Sequence, residues 1–311
     1  METVEQTTAM TSGRTGTSVP RANLAVVIGL VCATCTVAAA PLSHWLQGRA
    51  DVTPIYWGDL VLGSVWPLAG ALVVRAAPRN AVGWVLLSAG LLGPYHLAAY
   101  YSAAALEPGS DLPTLDLLAW LATWGFAPYF WVLPLVLLLF PDGRALSRGW
   151  HLATLALACV AAFTTLTRML GSFESDLAPG ISNPWGVGWS GLAPLTLVGS
   201  LLSIFGGLVL GVTALVLRTR RSAGRSRIQL QWLLLGGILA LVGFSLPIPN
   251  DEVREVAVAV GLLGPPIAIA IAVVRHGLFD VTFALNRTIV LLILFGGRRR
   301  VCLGRARHRL G

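Results

Sequence analysis

The chain has 311 residues, 55% of them apolar and 12% charged, with a formal net charge of +8. A soluble domain carries about 25% charged residues, so this composition excludes an ordinary soluble protein and points to an all-α, polytopic membrane protein. All 22 basic residues are arginine, which excludes Schiff-base, Walker-type and general-base lysine chemistry; because they lie between apolar runs, the membrane explains them before nucleic acid does.

Residues 1–22 are polar and threonine-rich, begin acidic and offer no small-residue cleavage site at signal-peptide spacing. They are expected to form a cytoplasmic segment. Eight apolar runs follow, at 23–43, 58–75, 81–102, 115–140, 150–170, 191–217, 228–249 and 255–274. Each approaches the roughly 20 residues that a helix needs to cross a bilayer. Together they predict an eight-helix membrane domain over 23–274. The second run is the weakest, with Asp59 at its start and Pro67 in its middle. Residues 275–311 are expected to be a cytoplasmic tail, with a short ninth apolar segment at 288–295 and an Arg-rich end.

Orientation follows from the arginines. Nineteen fall at the N-terminus, in alternate loops and in the tail; only Arg49, Arg168 and Arg254 fall on the other side. That asymmetry places both termini in the cytoplasm. Most acidic residues lie on or near the outer side, and Trp45, Trp57, Trp150, Trp185 and Trp189 fall near the expected interfaces. The longest outer loop runs from about Gly171 to Ser190.

Few groups suit chemistry. Cys32 and Cys35 form a C-x-x-C in mid-span, where a thiolate is poorly solvated; they read as small helix-packing residues. Cys159 also lies in an apolar run and Cys302 in the tail, which makes no disulfide framework. His44, His96, His151, His276 and His308 show no metal-ligand spacing. His96 falls inside a span, where an ionisable group is a functional candidate. Its plainer reading is a neutral histidine bonded to a neighbouring helix. Asp59 and Asp116 stand at span ends, within reach of water. Arg168, near the outer end of the fifth span, can snorkel to the surface. The cluster Arg218, Arg220, Arg221, Arg225 and Arg227 is expected to meet anionic headgroups at about 1 kcal/mol per residue; topology alone also explains it and is the preferred reading. Pro128, Pro134, Pro265 and Pro266 read as kinks. Asn286-Arg287-Thr288 matches a glycosylation sequon but is expected to be cytoplasmic.

Five stretches act together. They are RAAPRNAVGW from Arg75 to Trp84, LFPDGRALSR from Leu139 to Arg148, NPWGV from Asn183 to Val187, QLQWL from Gln229 to Leu233 and RHGLFD from Arg275 to Asp280, the last continuing to Asn286-Arg287-Thr288. In this order and spacing the chain resembles, over roughly 57–295, the multi-span input region of actinobacterial-type two-component sensor histidine kinases. The resemblance marks Asn80, Gly83, Pro141, Asp142, Gly143, Arg144, Asp280, Asn286 and Arg287 as inner-surface motif residues. It also implies further membrane helix and a cytoplasmic kinase after Asn-Arg-Thr. The residues here give neither a phospho-acceptor context around His276 or His308 nor a Gly-x-Gly ATP lid. Thr282 to Ala284 departs from the family, which tends to have a charged pair there. The break at Gly296 into RRRVCLGRARHRLG reads as a frameshift or early stop, or as a natural tail held by lipid contacts.

The expectation is therefore a plasma-membrane sensor input module without catalytic, metal or cofactor residues. Its expected partners are membrane lipids, and either a second copy or a separate kinase or response regulator; nucleic acid is not among them. The alternative is a small transporter or channel.

Overall fold

The computed structural model describes residues 18–223, 227, 230–231, 233–235, 238 and 251–275. It divides into two units, Met1–Ile269 and Ala270–Gly311; of the second, only the helical residues 270–275 are described. Seven long helices carry the described chain. They are α1 (Ser18–Leu46), α2 (Trp57–Ala76), α3 (Ala81–Ala105), α4 (Asp116–Leu139), α5 (Arg148–Leu170), α6 (Leu192–Arg221) and α7 (Asp251–Arg275). No β-strand occurs among the described residues, only isolated bridges.

Six of these helices, α1 through α6, are long and apolar enough to cross a membrane, α1 over Ala22–Leu46. They match the first six apolar runs, and the weak second run forms a complete helix of 20 residues. The run at 255–274 falls on α7. The run at 228–249 lies mostly outside the described residues; its described positions are helical. Apolar side chains face outward in rows: Leu24, Val27 and Val31 on α1, Leu152, Leu155 and Phe163 on α5, Leu197, Leu201 and Phe205 on α6. Water would penalise such belts, and hydrocarbon does not.

The helices approach closely because small residues line their contacts, as is usual without a hydrophobic drive between helices in lipid. A Cβ on Gly70 of α2 would lie 2.7 Å from the Gly83 carbonyl oxygen of α3. Gly90 and Gly93 of α3 lie against Cys32 of α1, one of the two cysteines read as small packing residues. Trp66, fully buried on α2, donates its Nε1–H to the Leu262 carbonyl of α7 at 2.8 Å.

Four helices are locally irregular, α3 through a 3-10 turn at Ala89–Leu91. Val61–Val65 in α2 and Leu202–Gly206 in α6 are π-helical turns, a form that recurs at functional sites. In α4 the helix Asp116–Trp124 stops, Ala127–Phe130 forms a 3-10 turn containing Pro128, and Val132–Leu139 resumes. Proline lacks the N–H that a continuous helix needs.

Candidate functional site

His96 lies in the middle of α3 and is 1% exposed. Its Nδ1 is 2.6 Å from the Leu92 carbonyl oxygen, one turn earlier on the same helix. Its Nε2 faces Asp59 Oδ2 of α2 at 3.6 Å. The other carboxylate oxygen, Oδ1, accepts from the hydroxyl of Tyr129 on α4. Oδ2 also accepts from the backbone N–H of Tyr56 at 3.3 Å. One carboxylate thereby joins three helices. Tyr95 and Tyr100 flank the imidazole, with ring centroids at 5.1 and 6.4 Å.

Local structure places each group. Asp59 stands in the first turn of α2, just before the π turn that displaces the following residues. Gly58 beside it lies against Val258 and Leu262 of α7. Tyr129 sits in the 3-10 turn that Pro128 imposes on α4. The connection between α1 and α2 closes over this region. Ser43 Oγ accepts from Ile55 N at 3.1 Å, and the Thr53 carbonyl accepts from the Tyr100 hydroxyl at 2.9 Å.

A second cluster forms where the arginine-bearing turns meet. Asn80 caps α3: its Oδ1 accepts from Val82 N at 3.0 Å, and its Nδ2 donates to the Pro141 carbonyl at 3.1 Å. Gly143 has φ +71°, a conformation glycine adopts freely, and lies directly against Asn80. Arg218 of α6 reaches into the same turn. It donates to Phe140 O at 2.6 Å, to Leu138 O at 2.8 Å and to Arg144 O. Leu138 O and Phe140 O lie at the end of α4, so the guanidinium also meets the negative end of a helix dipole, while Arg144 O lies in the turn beyond. Gly83 packs on Val73 and Val74, while Asp142 and Arg144 are exposed.

The NPWGV stretch works at the opposite end. Asn183 Nδ2 donates to Met169 O at 3.0 Å and to Gly171 O at 2.9 Å. Trp185 packs on Trp120, ring centroids 5.6 Å apart. Arg168 donates from Nε to Thr123 O at 2.9 Å and pairs with Asp176 at 2.5 Å. The Leu177 carbonyl accepts from Thr53 N at 2.7 Å, linking this loop to the connection over the His96 site.

Four readings need correction. Arg218 is 8% exposed and bonded to backbone carbonyls, so it holds helix α4 rather than a lipid headgroup. Arg220, Arg221 and Arg227 are exposed, in keeping with a surface role. Arg168 turns inward, over Phe126 and Phe173, instead of snorkelling to the surface. Asp59, read as reaching water from a span end, is only 14% exposed and faces His96. The plain reading of His96 also changes: its hydrogen-bond partner belongs to its own helix. Arg225, Asp280, Asn286, Arg287, His276, His308 and the 288–295 segment lie outside the described residues.

The sequence reading missed Tyr129 and the Asp59–His96 pairing. A carboxylate at the head of an apolar run was the available signal for Asp59. No group of three or more His, Cys, Asp or Glu side chains stands within metal-binding reach among the described residues. A scan against protein-family models finds no match, and comparisons with curated proteins and with solved structures find none either.

Proposed function

We propose that this chain is the input module of a plasma-membrane signalling protein, similar to the membrane region of two-component sensor histidine kinases. In this reading it has eight spans, both termini are cytoplasmic, and the chain carries no catalytic residue of its own. It acts through a second copy or through a separate kinase or response regulator.

The observation that supports this reading is the joint of Asn80, Pro141, Gly143 and Arg218. Two motif stretches about sixty residues apart in sequence hold each other there, and α6 ties itself to the second of them through Arg218. Such a joint fixes the ends of α3, α4 and α6 relative to one another. A helix shift begun at the opposite end would reach it along these helices, as a change in the population of two arrangements.

A second reading, a small ion-coupled transporter or channel, is favoured by one finding. Asp59 beside His96 supplies the intramembrane ionisable pair that carriers commonly need. One experiment separates the two. The tagged full chain is cross-linked in its native membrane and recovered, and the same preparation is tested for solute uptake in liposomes. Recovery of a histidine kinase or response regulator, lost on Arg218→Ala, supports the signalling reading. Uptake that His96→Ala abolishes, with no such protein recovered, overturns it. Autophosphorylation of the purified chain with ATP would overturn the absence of a kinase.

A further inference from the structure

We propose that Arg168 and Tyr95, beside the loop between α5 and α6, form a binding site for a small organic carboxylate, and that Asp176 occupies it as the chain's own carboxylate until such a ligand replaces it. As a sensory site it rests on the signalling reading; as a binding site it is measured apart from it.

The argument rests on donors that the fold leaves unused. Arg168 stands in the last turn of α5 and is 11% exposed. Its Cζ lies over the rings of Phe126 and Phe173, at 4.9 and 4.6 Å. Ring faces attract the cation but leave its in-plane N–H groups to other acceptors. Nε donates to Thr123 O at 2.9 Å; Nη2 donates to Asp176 Oδ2 at 2.5 Å and to Glu174 O at 3.4 Å. Nη1 donates to nothing among the described residues. Tyr95 is 3% exposed and packs on Phe126, ring centroids 5.9 Å apart. Its hydroxyl has no hydrogen-bond partner among the described residues, and the charges of Asp176 and Arg168 both act on it. A buried hydroxyl left that way costs free energy. Two unused donors beside one aromatic ring, one of them cationic, suit a ligand that only accepts.

Asp176 shows which acceptor fits. A carboxylate matches the guanidinium fork with two parallel bonds, yet Asp176 sets one oxygen, Oδ2, on one nitrogen, Nη2. Its side chain is 62% exposed, so water screens the pair and it is weakly held. Glu174 turns its carboxylate to the N–H of Gly180 at 3.5 Å, so Asp176 is the one carboxylate on Arg168 among the described residues. A free carboxylate that engages both Nη groups gives up only that exposed pair. With two acidic side chains close by, a singly charged carboxylate is favoured over a phosphate, which carries up to two charges. The exchange also reaches other elements. Asp176 O accepts from Thr53 Oγ1 at 3.3 Å and Leu177 O from Thr53 N at 2.7 Å, so a displaced Asp176 pulls on the connection between α1 and α2.

The test titrates sodium benzoate into the full chain in lipid nanodiscs, by calorimetry at constant ionic strength, with empty nanodiscs as the blank. The wild type is expected to bind one benzoate, and sodium acetate to compete for it. Asp176→Ala tightens binding about fivefold, because the resident carboxylate is gone. Arg168→Lys weakens it at least about tenfold, because an ammonium lacks the fork. Tyr95→Phe weakens it about threefold or more, because one donor is lost. Absence of saturable binding in both the wild type and Asp176→Ala overturns the proposal. Unchanged affinity in Asp176→Ala overturns the exchange, and equal competition by chloride or phosphate overturns the carboxylate class. Should Arg168→Lys fail to fold, Asp176→Ala, at an exposed position, decides the matter. Benzoate binding without recovery of a signalling protein by cross-linking counts against the signalling reading and not the site; recovery without binding does the reverse.

Discussion

Arg218 donates a hydrogen bond to the carbonyl oxygen of Phe140 at 2.6 Å, from 78 residues further along the chain. With the bond to Leu138, the guanidinium satisfies two carbonyls at the end of α4 that no following turn can satisfy, and it also reaches Arg144 O in the turn beyond. Hydrogen bonds to a charged group contribute about 1.5–3 kcal/mol each, and orphaned buried carbonyls cost more than they would in water. Arg218→Ala is therefore expected to destabilise the fold by about 3 kcal/mol. Arg218→Lys recovers less than half of that, because an ammonium lacks the planar fork. Thermal unfolding in detergent measures both. Arg220→Ala, at an exposed position two residues on, changes stability by less than about 0.5 kcal/mol. Equal losses at the two positions would contradict the buried role of Arg218.

The helix at Trp57–Ala76 was legible despite Asp59 and Pro67, because length and apolar content decide membrane insertion more than one proline does. The alternation of arginine-bearing turns was legible too, and those of residues 77–80 and 140–147 do meet in space. What a single sequence hides is direction around a helix. Arg218 and Arg220 look alike in RTRR, yet they sit about 200° apart on a helix of 3.6 residues per turn, and one faces protein while the other faces outward. The pairing of Asp59 with His96 is hidden for another reason. Asp59 lies just before a π turn and accepts from Tyr129 in the break of α4 at Pro128, and neither irregularity follows from composition or period.

Gly70 and Gly206 give a matched pair of glycine substitutions. A Cβ at Gly70 would collide with the backbone of α3, whereas at Gly206 nothing lies within 4 Å. Gly70→Ala is expected to cost about 1–3 kcal/mol as α2 and α3 are forced apart. Gly206→Ala changes stability by less than about 1 kcal/mol, and in the favourable direction, because it restricts the unfolded chain. Denaturant titration of both variants in the same detergent tests the contrast. A larger loss at Gly206 would count against the α2–α3 contact described here.

Asn183 organises the loop between α5 and α6. Its amide donates to two carbonyls and its Oδ1 accepts from Trp185 N at 3.0 Å. Asn183→Ala removes three hydrogen bonds, although Met169 O keeps Trp120 Nε1–H and Gly171 O keeps Phe173 N–H, and is expected to cost about 2 kcal/mol. The loss is local, so limited proteolysis between residues 171 and 190 should accelerate while the helical signal by circular dichroism stays unchanged. Asn183→Asp keeps the acceptor and loses both donors, so it should resemble the alanine variant. Wild-type protease resistance in Asn183→Asp would show that Trp185 N is the bond that matters.

Arg168 and Asp176 form an ion pair at 2.5 Å, but the two partners are unequal: Arg168 is 11% exposed and Asp176 62%. Water screens the carboxylate, so the pair itself contributes less than about 1 kcal/mol. Arg168 does more elsewhere, through its bond to Thr123 O and its placement over Phe126 and Phe173. Cation–π contacts of that kind contribute about 0.5–2 kcal/mol as they lose water. A double-mutant cycle separates the two roles. Arg168→Ala should cost at least twice what Asp176→Ala costs, with a coupling energy below about 1 kcal/mol. Equal single-mutant losses together with strong coupling would instead make the ion pair the main tie between α5 and its loop. In that case raising the salt concentration should destabilise the wild type and leave Asp176→Ala unchanged, because only an exposed pair is screened by added ions.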